Sequence, residues 1–271
     1  MTILLTGATG LVGERLLSRL IEAGTTCRAL VRAGKTVAAG ASVFEGDLFD
    51  RDALARAVDG VSAVVHLAAV FRTADTDLIW KSNLEGTQNL IAAVKAQAPN
   101  ARFIMASTAH VYGRAGSHPG RESDIVDPQQ AYPASKVAAE RALQDSGLAW
   151  SVLRFPFVYG DGDGHLEALP SHLSAFAFHP AQRMSTVHHR DIAAAIELGL
   201  TGAFDGRIVN ISDDAATTIY ELVRLVGEDM DVSSNPMPDP WYLHVDGALA
   251  RSLGFRPTVR TVREAVELDL L

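Results

Sequence analysis

The sequence predicts an α/β protein: a doubly wound parallel sheet with a small C-terminal lobe. Three observations predict it. Short apolar runs that read as buried strands alternate with helical patterns, as in a parallel sheet covered on both faces. The first run, Ile3 to Leu5, leads into Gly7, Gly10 and Gly13, and then into a helical face of Leu16, Leu17, Leu20 and Ile21 closed by Gly24. The chain has 271 residues, 48% of them hydrophobic, which suits one large core with a lobe attached. Single cores stop growing near about 250–300 residues.

The first strand, glycine turn and helix start together present backbone N–H groups to a phosphate, and the helix N-terminus adds about half a positive charge. Glycine suits these positions because a Cβ would hold a pyrophosphate off the backbone and the helix off its strand. The spacing is G-x-x-G-x-x-G rather than the general G-x-G-x-x-G of dinucleotide sites. The second strand spans Thr26 to Val31 and ends at Arg32. An acidic residue there would bond a ribose 2′-hydroxyl and select NAD, whereas arginine accommodates a 2′-phosphate. Arg32, with Lys35 nearby and no carboxylate before Glu45, points to NADP(H), with NAD(H) the alternative.

Ser42 to Phe44 reads as the third strand. Asp47, just beyond it, either faces an adenine amino group or caps the helix near Arg51. Ser62 to Ala69 is a near-continuous apolar run, as a central parallel strand requires. A long helix is predicted over about 77–98, with Asn83 inside it needing a hydrogen-bonding reason. Arg102 to Ala106 is the next strand and runs into the polar cluster Ser107-Thr108-Ala109-His110-Val111-Tyr112-Gly113. Tyr132-Pro133-Ala134-Ser135-Lys136 opens another helix, Pro133 fitting its first turn. Tyr132 and Lys136 are four apart and share a face, where an ammonium favours a phenolate and lowers the tyrosine pKa. Ala149 to Phe155 is a further buried strand, ended by Pro156. Beyond the Asp-Gly-Asp-Gly turn after Gly160, Asp191 reads as a helix N-terminal charge and Arg207 to Ile211 as a last strand. Helices follow near 218–225 and towards the end.

The formal net charge is −8 and no basic run occurs, which argues against nucleic acid as a partner. One cysteine, Cys27, leaves no internal disulfide and suggests a reducing, cytoplasmic setting. The first strand starts at the N-terminus, so no signal peptide is expected. No apolar stretch approaches the roughly 20 residues that span a bilayer, so no membrane partner is expected. No His/Cys pattern has metal-ligand spacing; His188 and His189 are adjacent and in a strand point to opposite faces.

Taken together, these motifs resemble the extended short-chain dehydrogenase/reductases, the NAD(P)-dependent epimerase/dehydratase group, over nearly the whole chain. The resemblance rests on Thr-Gly-Ala-Thr-Gly-Leu-Val-Gly (6–13), Gly-Asp-Leu (46–48), His-Leu-Ala-Ala (66–69), Asn83 with Glu-Gly-Thr, Ser-Thr-Ala-His-Val-Tyr-Gly (107–113), Tyr-Pro-Ala-Ser-Lys (132–136) and Leu-Arg-Phe-Pro-Phe-Val-Tyr-Gly (153–160). It implies a Rossmann-type fold, with residues 1–160 completed by 187–212 holding the dinucleotide, and 161–186 with 213–271 forming a small substrate-binding lobe. Tyr132 is implied as acid/base, and Lys136 as the group that lowers its pKa and holds the nicotinamide ribose. Thr108, rather than its neighbour Ser107, is implied to bond the reacting carbonyl. Asn83 is implied to support the active-site lysine region. Gly7, Thr9, Gly10, Leu11, Val12 and Gly13 would cradle the pyrophosphate, and Arg32 would read the 2′ position. Asp47 and Leu48 would face adenine, Leu67, Ala68 and Ala69 would line the cofactor, and Pro156 and Val158 would lie near the nicotinamide.

Two departures narrow the expectation. Ala109-His110 stand where the 4,6-dehydratases carry Asp-Glu, and Arg32 departs from the acidic residue of epimerases that keep NAD bound. The expected activity is NADP(H)-dependent hydride transfer to or from a carbonyl or hydroxyl carbon of a small-molecule or sugar-like substrate. The alternatives are an NAD(P)-dependent sugar-nucleotide epimerase and, from another class, a non-catalytic NADP-sensing protein. Phe71, Phe157, Phe176, Phe178, Trp241 and Tyr242 are candidate lid residues, read as core more readily than as substrate contacts. A homodimer through 77–98 and 132–146 is an expectation from the resemblance.

Overall fold

The computed structural model describes residues 1–176 and 178–271, without the side chains of 172 and 174–176. The chain opens with β1 (Thr2–Thr6), α1 (Leu11–Glu22), β2 (Thr26–Val31), β3 (Ser42–Glu45), α2 (Arg51–Val58) and β4 (Ala63–His66). Then come α3 (Thr76–Trp80), a π-helical turn (Lys81–Glu85) and α4 (Gly86–Gln97). β5 (Arg102–Thr108), α5 (Ala131–Gln144), β6 (Ala149–Phe155), β7 (Phe157–Tyr159) and α6 (Leu169–Phe176) follow. The remainder holds β8 (Arg183–Met184), β9 (Thr186–His188), α7 (His189–Leu200), β10 (Arg207–Asn210), β11 (Thr217–Thr218), α8 (Ile219–Leu225), α9 (Ala248–Ser252) and α10 (Val262–Glu267).

The main sheet has the order β10-β6-β5-β4-β1-β2-β3, with every neighbouring pair parallel. Its inner strands β1, β4, β5 and β6 are largely buried on both faces because successive side chains serve two cores. Ile3, Leu5, Ile104 and Leu153 join the cluster under α1 and α7. Leu4, Phe103, Met105 and Val152 join the cluster under α2, α4 and α5. The strand order reverses between β1 and β4, so their carboxyl ends, Thr6 and His66, border the crevice where such sheets take ligands. A third apolar cluster collects Tyr159, Leu166, Met184, Leu222, Val259 and Val262 from segments beyond the main sheet.

Local chemistry sets the element boundaries. α1 ends with Gly24 at φ 79, whose N–H reaches Ile21 O, an arrangement glycine adopts without Cβ strain. Asp50 caps α2 by accepting from Ala53 N, at 2.9 Å. Asp75 caps α3 by accepting from Leu78 N. Thr218 and Glu221 form a reciprocal capping box at α8. Pro156 ends β6, and the chain leaves the main sheet to pair β7 with β9. The long helix expected over 77–98 is interrupted: α3 and α4 are joined by the π turn that contains Asn83. Asp191 does more than bias a helix terminus. It is buried and its carboxylate accepts from Thr258 N at 2.5 Å, Thr258 Oγ1 at 2.8 Å and Val259 N at 3.2 Å.

Candidate active site

The glycine turn is shaped as a cradle. A Cβ on Gly7 (φ +72) would lie 2.6 Å from Ala68 N, and one on Gly13 would lie 2.1 Å from Gly7 O. Both neighbours are backbone, so the turn lies this close to the loop after β4, and α1 this close to the turn, only with glycine at these positions. Gly10 begins α1 with no side-chain cap, which leaves the first N–H groups of the helix to a ligand. Thr9, Gly10 and Leu11 are exposed around them, and Val12 is half-buried. Leu67, Ala68 and Ala69 continue β4 towards the same crevice, and Ala68 N lies 3.5 Å from Thr6 Oγ1. These features fit a dinucleotide pyrophosphate.

Arg32 leaves the carboxyl end of β2 with its side chain exposed. Asp47 does not cap α2, which is the task of Asp50. Its Oδ1 instead accepts from Phe49 N at 2.7 Å and Asp50 N at 3.1 Å, in a turn of its own. Leu48 packs on the start of α4, where a Cβ on Gly86 would meet its Cδ1 at 2.9 Å.

The polar centre lies at the carboxyl end of β5. Thr108 is the last residue of that strand, and Tyr132 and Lys136 sit in the first turns of α5. Thr108 Oγ1 accepts from His110 N at 3.1 Å, which leaves its own proton to donate. Burial pushes the Tyr132 phenol up to about 12, and the neighbouring Thr108 hydroxyl offsets part of that. The lowering expected from Lys136 is therefore not what dominates here; desolvation is. Lys136 is 2% exposed. Burial lowers its ammonium to about 8, against the charge of Glu140 one turn further along α5. Asn83 has the hydrogen-bonding reason its place in a helix demanded. Its Oδ1 accepts from Val70 N at 2.8 Å, and its Nδ2 donates to Val70 O at 2.9 Å and to Ser135 Oγ at 3.0 Å. Ser135 Oγ in turn donates to Tyr132 O at 2.7 Å. The π turn thus ties the loop after β4 to the turn that carries Tyr132.

Two buried networks escaped the sequence reading. Thr87 Oγ1 donates to Asn83 O at 2.6 Å, so it accepts from His66 Nε2 at 2.9 Å. That leaves His66 Nδ1 to accept from Thr6 Oγ1, at 2.6 Å. His66 is fully buried, and burial, reinforced by Lys136, lowers its pKa to about 3, so the ring is neutral with a defined tautomer. The chain of bonds joins the end of β1 to the π turn at the point where strand order reverses. In the second network Arg154 donates to Glu140 Oε2 at 2.6 Å and Oε1 at 3.1 Å, and to Tyr112 OH at 3.0 Å. Ser107 Oγ donates to Glu140 Oε1 at 2.5 Å. That bond engages the Ser107 hydroxyl with α5, and Thr108, the next residue of β5, points to the opposite face of the sheet.

The candidate lid residues scatter. The Phe71 ring is exposed and 5.5 Å from that of Tyr132. Phe157 stacks on His165 at 4.4 Å. Phe178 lies 6.4 Å from Tyr242, and Trp241 lies 5.8 Å from His244. The Phe176 side chain lies outside the described residues. Pro156 and Val158 are half-buried beside Phe157, and Val158 O accepts from His165 Nδ1 at 2.8 Å. His188 and His189 part company: His188 Nε2 donates to Leu270 O at 2.8 Å, and His189 Nε2 bonds Asp163 Oδ2 at 2.8 Å. Among the described residues no group of three or more His, Cys, Asp or Glu could hold a metal ion, and no helix is long and apolar enough to cross a membrane.

Comparison with known proteins identifies the family and the fold. The profile of the NAD dependent epimerase/dehydratase family matches residues 3–212. A dTDP-6-deoxy-L-talose 4-dehydrogenase (NAD(P)(+)) of Kitasatospora kifunensis is 30% identical, over 96% of this chain and 92% of its own. A 2-alkyl-3-oxoalkanoate reductase of Stenotrophomonas maltophilia is 36% identical over 61% of this chain and 53% of its own. Among solved structures, MoeE5 in complex with UDP-glucuronic acid and NAD has a TM-score of 0.81 at 25% identity, covering 98% of this chain and 97% of that one. With its Rossmann-type sheet, its glycine cradle and these relatives, the chain belongs to the NAD-dependent epimerase/dehydratase family and is an extended short-chain dehydrogenase/reductase enzyme that depends on NAD(P).

Proposed function

We propose that the protein is an NADP(H)-dependent oxidoreductase acting on a carbonyl or hydroxyl carbon of a small-molecule or sugar-like substrate, with Tyr132 as the acid/base. The observation that carries this reading is the placement of Thr108 at the carboxyl end of β5, close enough to the Tyr132 phenol to lower it, with Lys136 on the same face of α5. When bound, the nicotinamide supplies or accepts a hydride. Tyr132, held up to about 12, keeps its proton at neutral pH and donates it to the substrate oxygen in reduction. Thr108 orients that oxygen through its hydroxyl. Lys136 holds the ribose and contributes positive charge below about pH 8. Asn83 and Ser135 hold the Tyr132 turn in place. In Tyr132→Phe the transferable proton is lost and the ring stays. Steady-state turnover is expected to fall by about 10²–10⁴-fold, with cofactor affinity unchanged. A near-native rate would remove Tyr132 from the mechanism and open the cofactor-sensing alternative.

Arg32 supports the preference for NADP(H), because an exposed guanidinium at the end of β2 is free to meet a 2′-phosphate. Titration followed by nicotinamide fluorescence is expected to show tighter NADPH than NADH binding, and Arg32→Asp to reverse the order. Equal ratios in both proteins would assign the 2′ position to another residue. A sugar-nucleotide epimerase on the same site is the second reading, favoured by the MoeE5 complex with UDP-glucuronic acid. Net consumption of NADPH separates a reductase from an epimerase, which returns its cofactor to the starting state.

A further inference from the structure

His66 is a buried titratable group with no task yet in the reaction, and each hydrogen bond around it has a fixed direction. The carbonyl of Asn83 can only accept, so the Thr87 hydroxyl donates to it, at 2.6 Å. Thr87 Oγ1 has then spent its proton, and its bond with His66 Nε2, at 2.9 Å, requires the ring to donate from that nitrogen. Nδ1 of the neutral ring is left as an acceptor, and Thr6 Oγ1 donates to it at 2.6 Å. The three bonds point one way, from the end of β1 to the π turn, and bonds aligned in this manner strengthen one another in a low dielectric. The Phe103 ring packs nearly perpendicular to the imidazole, with centroids 6.0 Å apart, and helps to hold its plane.

The run of bonds continues to the reacting centre. Asn83, whose carbonyl takes the Thr87 proton, donates from Nδ2 to Ser135 Oγ at 3.0 Å, and Ser135 Oγ donates to the backbone carbonyl of Tyr132 at 2.7 Å. Thr6, His66, Thr87, Asn83 and Ser135 are each at most 1% exposed, so bulk water does not stand in for a missing member. The first turn of α5 carries Tyr132, and its N-cap residue, Gln130, makes no side-chain capping bond. The Asn83–Ser135 bond is therefore the polar tie of that turn to the π turn. Histidine suits the other end of the run because its two ring nitrogens place a donor and an acceptor at fixed positions on one rigid frame.

We propose that His66 is a positioning residue for the reaction: its neutral ring, protonated at Nε2, takes its place from Thr6 at the end of β1, sets Thr87 and the π turn, and through Asn83 and Ser135 fixes the turn of α5 that presents Tyr132. This rests on the reading of Tyr132 as the acid/base. His66 acts through Asn83 and exchanges no proton itself.

The test uses NMR of the full chain with tyrosine carrying carbon-13 at Cζ, the Tyr132 resonance being the one lost in Tyr132→Phe. The wild-type phenol, held up to about 12 by burial, is expected to stay protonated at pH 10. An asparagine amide overlays the Nδ1 side of a histidine ring, and a glutamine amide the Nε2 side. His66→Asn therefore still accepts from Thr6 but loses Thr87. Its Tyr132 turn is expected to loosen and admit water, leaving about half of the phenol ionised at pH 10. His66→Gln still donates to Thr87, and its Tyr132 is expected to stay protonated. Thr87→Val keeps the shape without the hydroxyl and should behave as His66→Asn does, while Thr87→Ser should behave as wild type. That second pair decides the matter if His66→Asn does not fold. A purely structural role would lower the melting temperature of the variants and leave the Tyr132 resonance unmoved. The proposal is overturned if Tyr132 stays protonated at pH 10 in Thr87→Val, or if His66→Asn and His66→Gln give the same ionised fraction. Undiminished turnover in Tyr132→Phe is a separate outcome: it would sink the acid/base reading, while the resonance still reports whether His66 places the Tyr132 turn.

Discussion

At the residue scale, burial does more than charge to set proton affinities at the centre of this molecule. Tyr132 rises and Lys136 falls because each loses water, and the Lys–Tyr attraction that the four-residue spacing suggests is secondary in the chain by itself. His66 shows the consequence for stability. Its folded pKa of about 3 lies below its ordinary 6.5, so the unfolded chain binds the proton more tightly. The stability associated with the neutral ring is complete above about pH 6.5 and is lost as pH falls towards 3. His110, His188 and His244 are lowered in the same direction by burial. Urea unfolding is expected to show a fall in stability below pH 6.5. His66→Gln, which carries no titrating group, should show a shallower fall. An identical slope in both proteins would mean that His66 is protonated without cost.

At the element scale, α5 is held to the sheet by a charged pair rather than by apolar contact alone. Arg154 on β6 and Glu140 on α5 are each 2% exposed. Removing one partner of such a pair strands the other in a medium that cannot solvate it. Glu140→Ala is expected to destabilise by about 3–5 kcal/mol, measured as a lower urea midpoint. It should also release Ser107 Oγ and the Tyr112 hydroxyl from the network that α5 organises. A loss below about 1 kcal/mol would show that water reaches Arg154. The π turn before α4 belongs to the same scale. It is the local departure that lets Asn83 reach both Val70 and Ser135.

At the scale of the whole molecule, Asp161 joins parts distant in sequence. Its backbone carbonyl accepts from Arg15 Nε at 3.2 Å, and its carboxylate meets Arg19 and Arg190. Its N–H donates to Leu270 O at 3.1 Å. One residue thus ties α1, α7, the turn after β7 and the last residues together. Burial opposes ionisation of Asp161, but the hydrogen bond and charge of Arg19, with Arg190, outweigh it and hold the carboxyl below its ordinary range. A lowered folded pKa gives stability that is present above the unfolded value and lost as pH falls through the folded one. Asp161 sits at φ 53, which asparagine tolerates, so Asp161→Asn tests the charge without straining the backbone. It is expected to lower the melting temperature at pH 7 by a few degrees, equivalent to about 1 kcal/mol or somewhat less for a chain of this length, and to narrow the gap to wild type in acid. An equal gap at every pH would assign the effect to packing.

What the sequence by itself determined is what short-range chemistry dictates. The alternation of buried runs with helical faces implied a doubly wound sheet. The placement of Gly7, Gly10 and Gly13 after a first strand implied the cradle, and the family resemblance carried by Tyr132-Pro-Ala-Ser-Lys136 implied a reacting centre that the four-residue spacing alone does not. The first two depend on residues only a few positions apart, where spacing translates directly into geometry. Tertiary structure alone decided the rest. Thr6 and His66 stand 60 residues apart and meet only because β1 pairs with β4. Ser107 and Glu140 are 33 apart and meet only because α5 packs on β5. Burial is likewise a property of the packed molecule, and for that reason the proton affinities of His66, Tyr132 and Lys136 were not legible in the order of the residues.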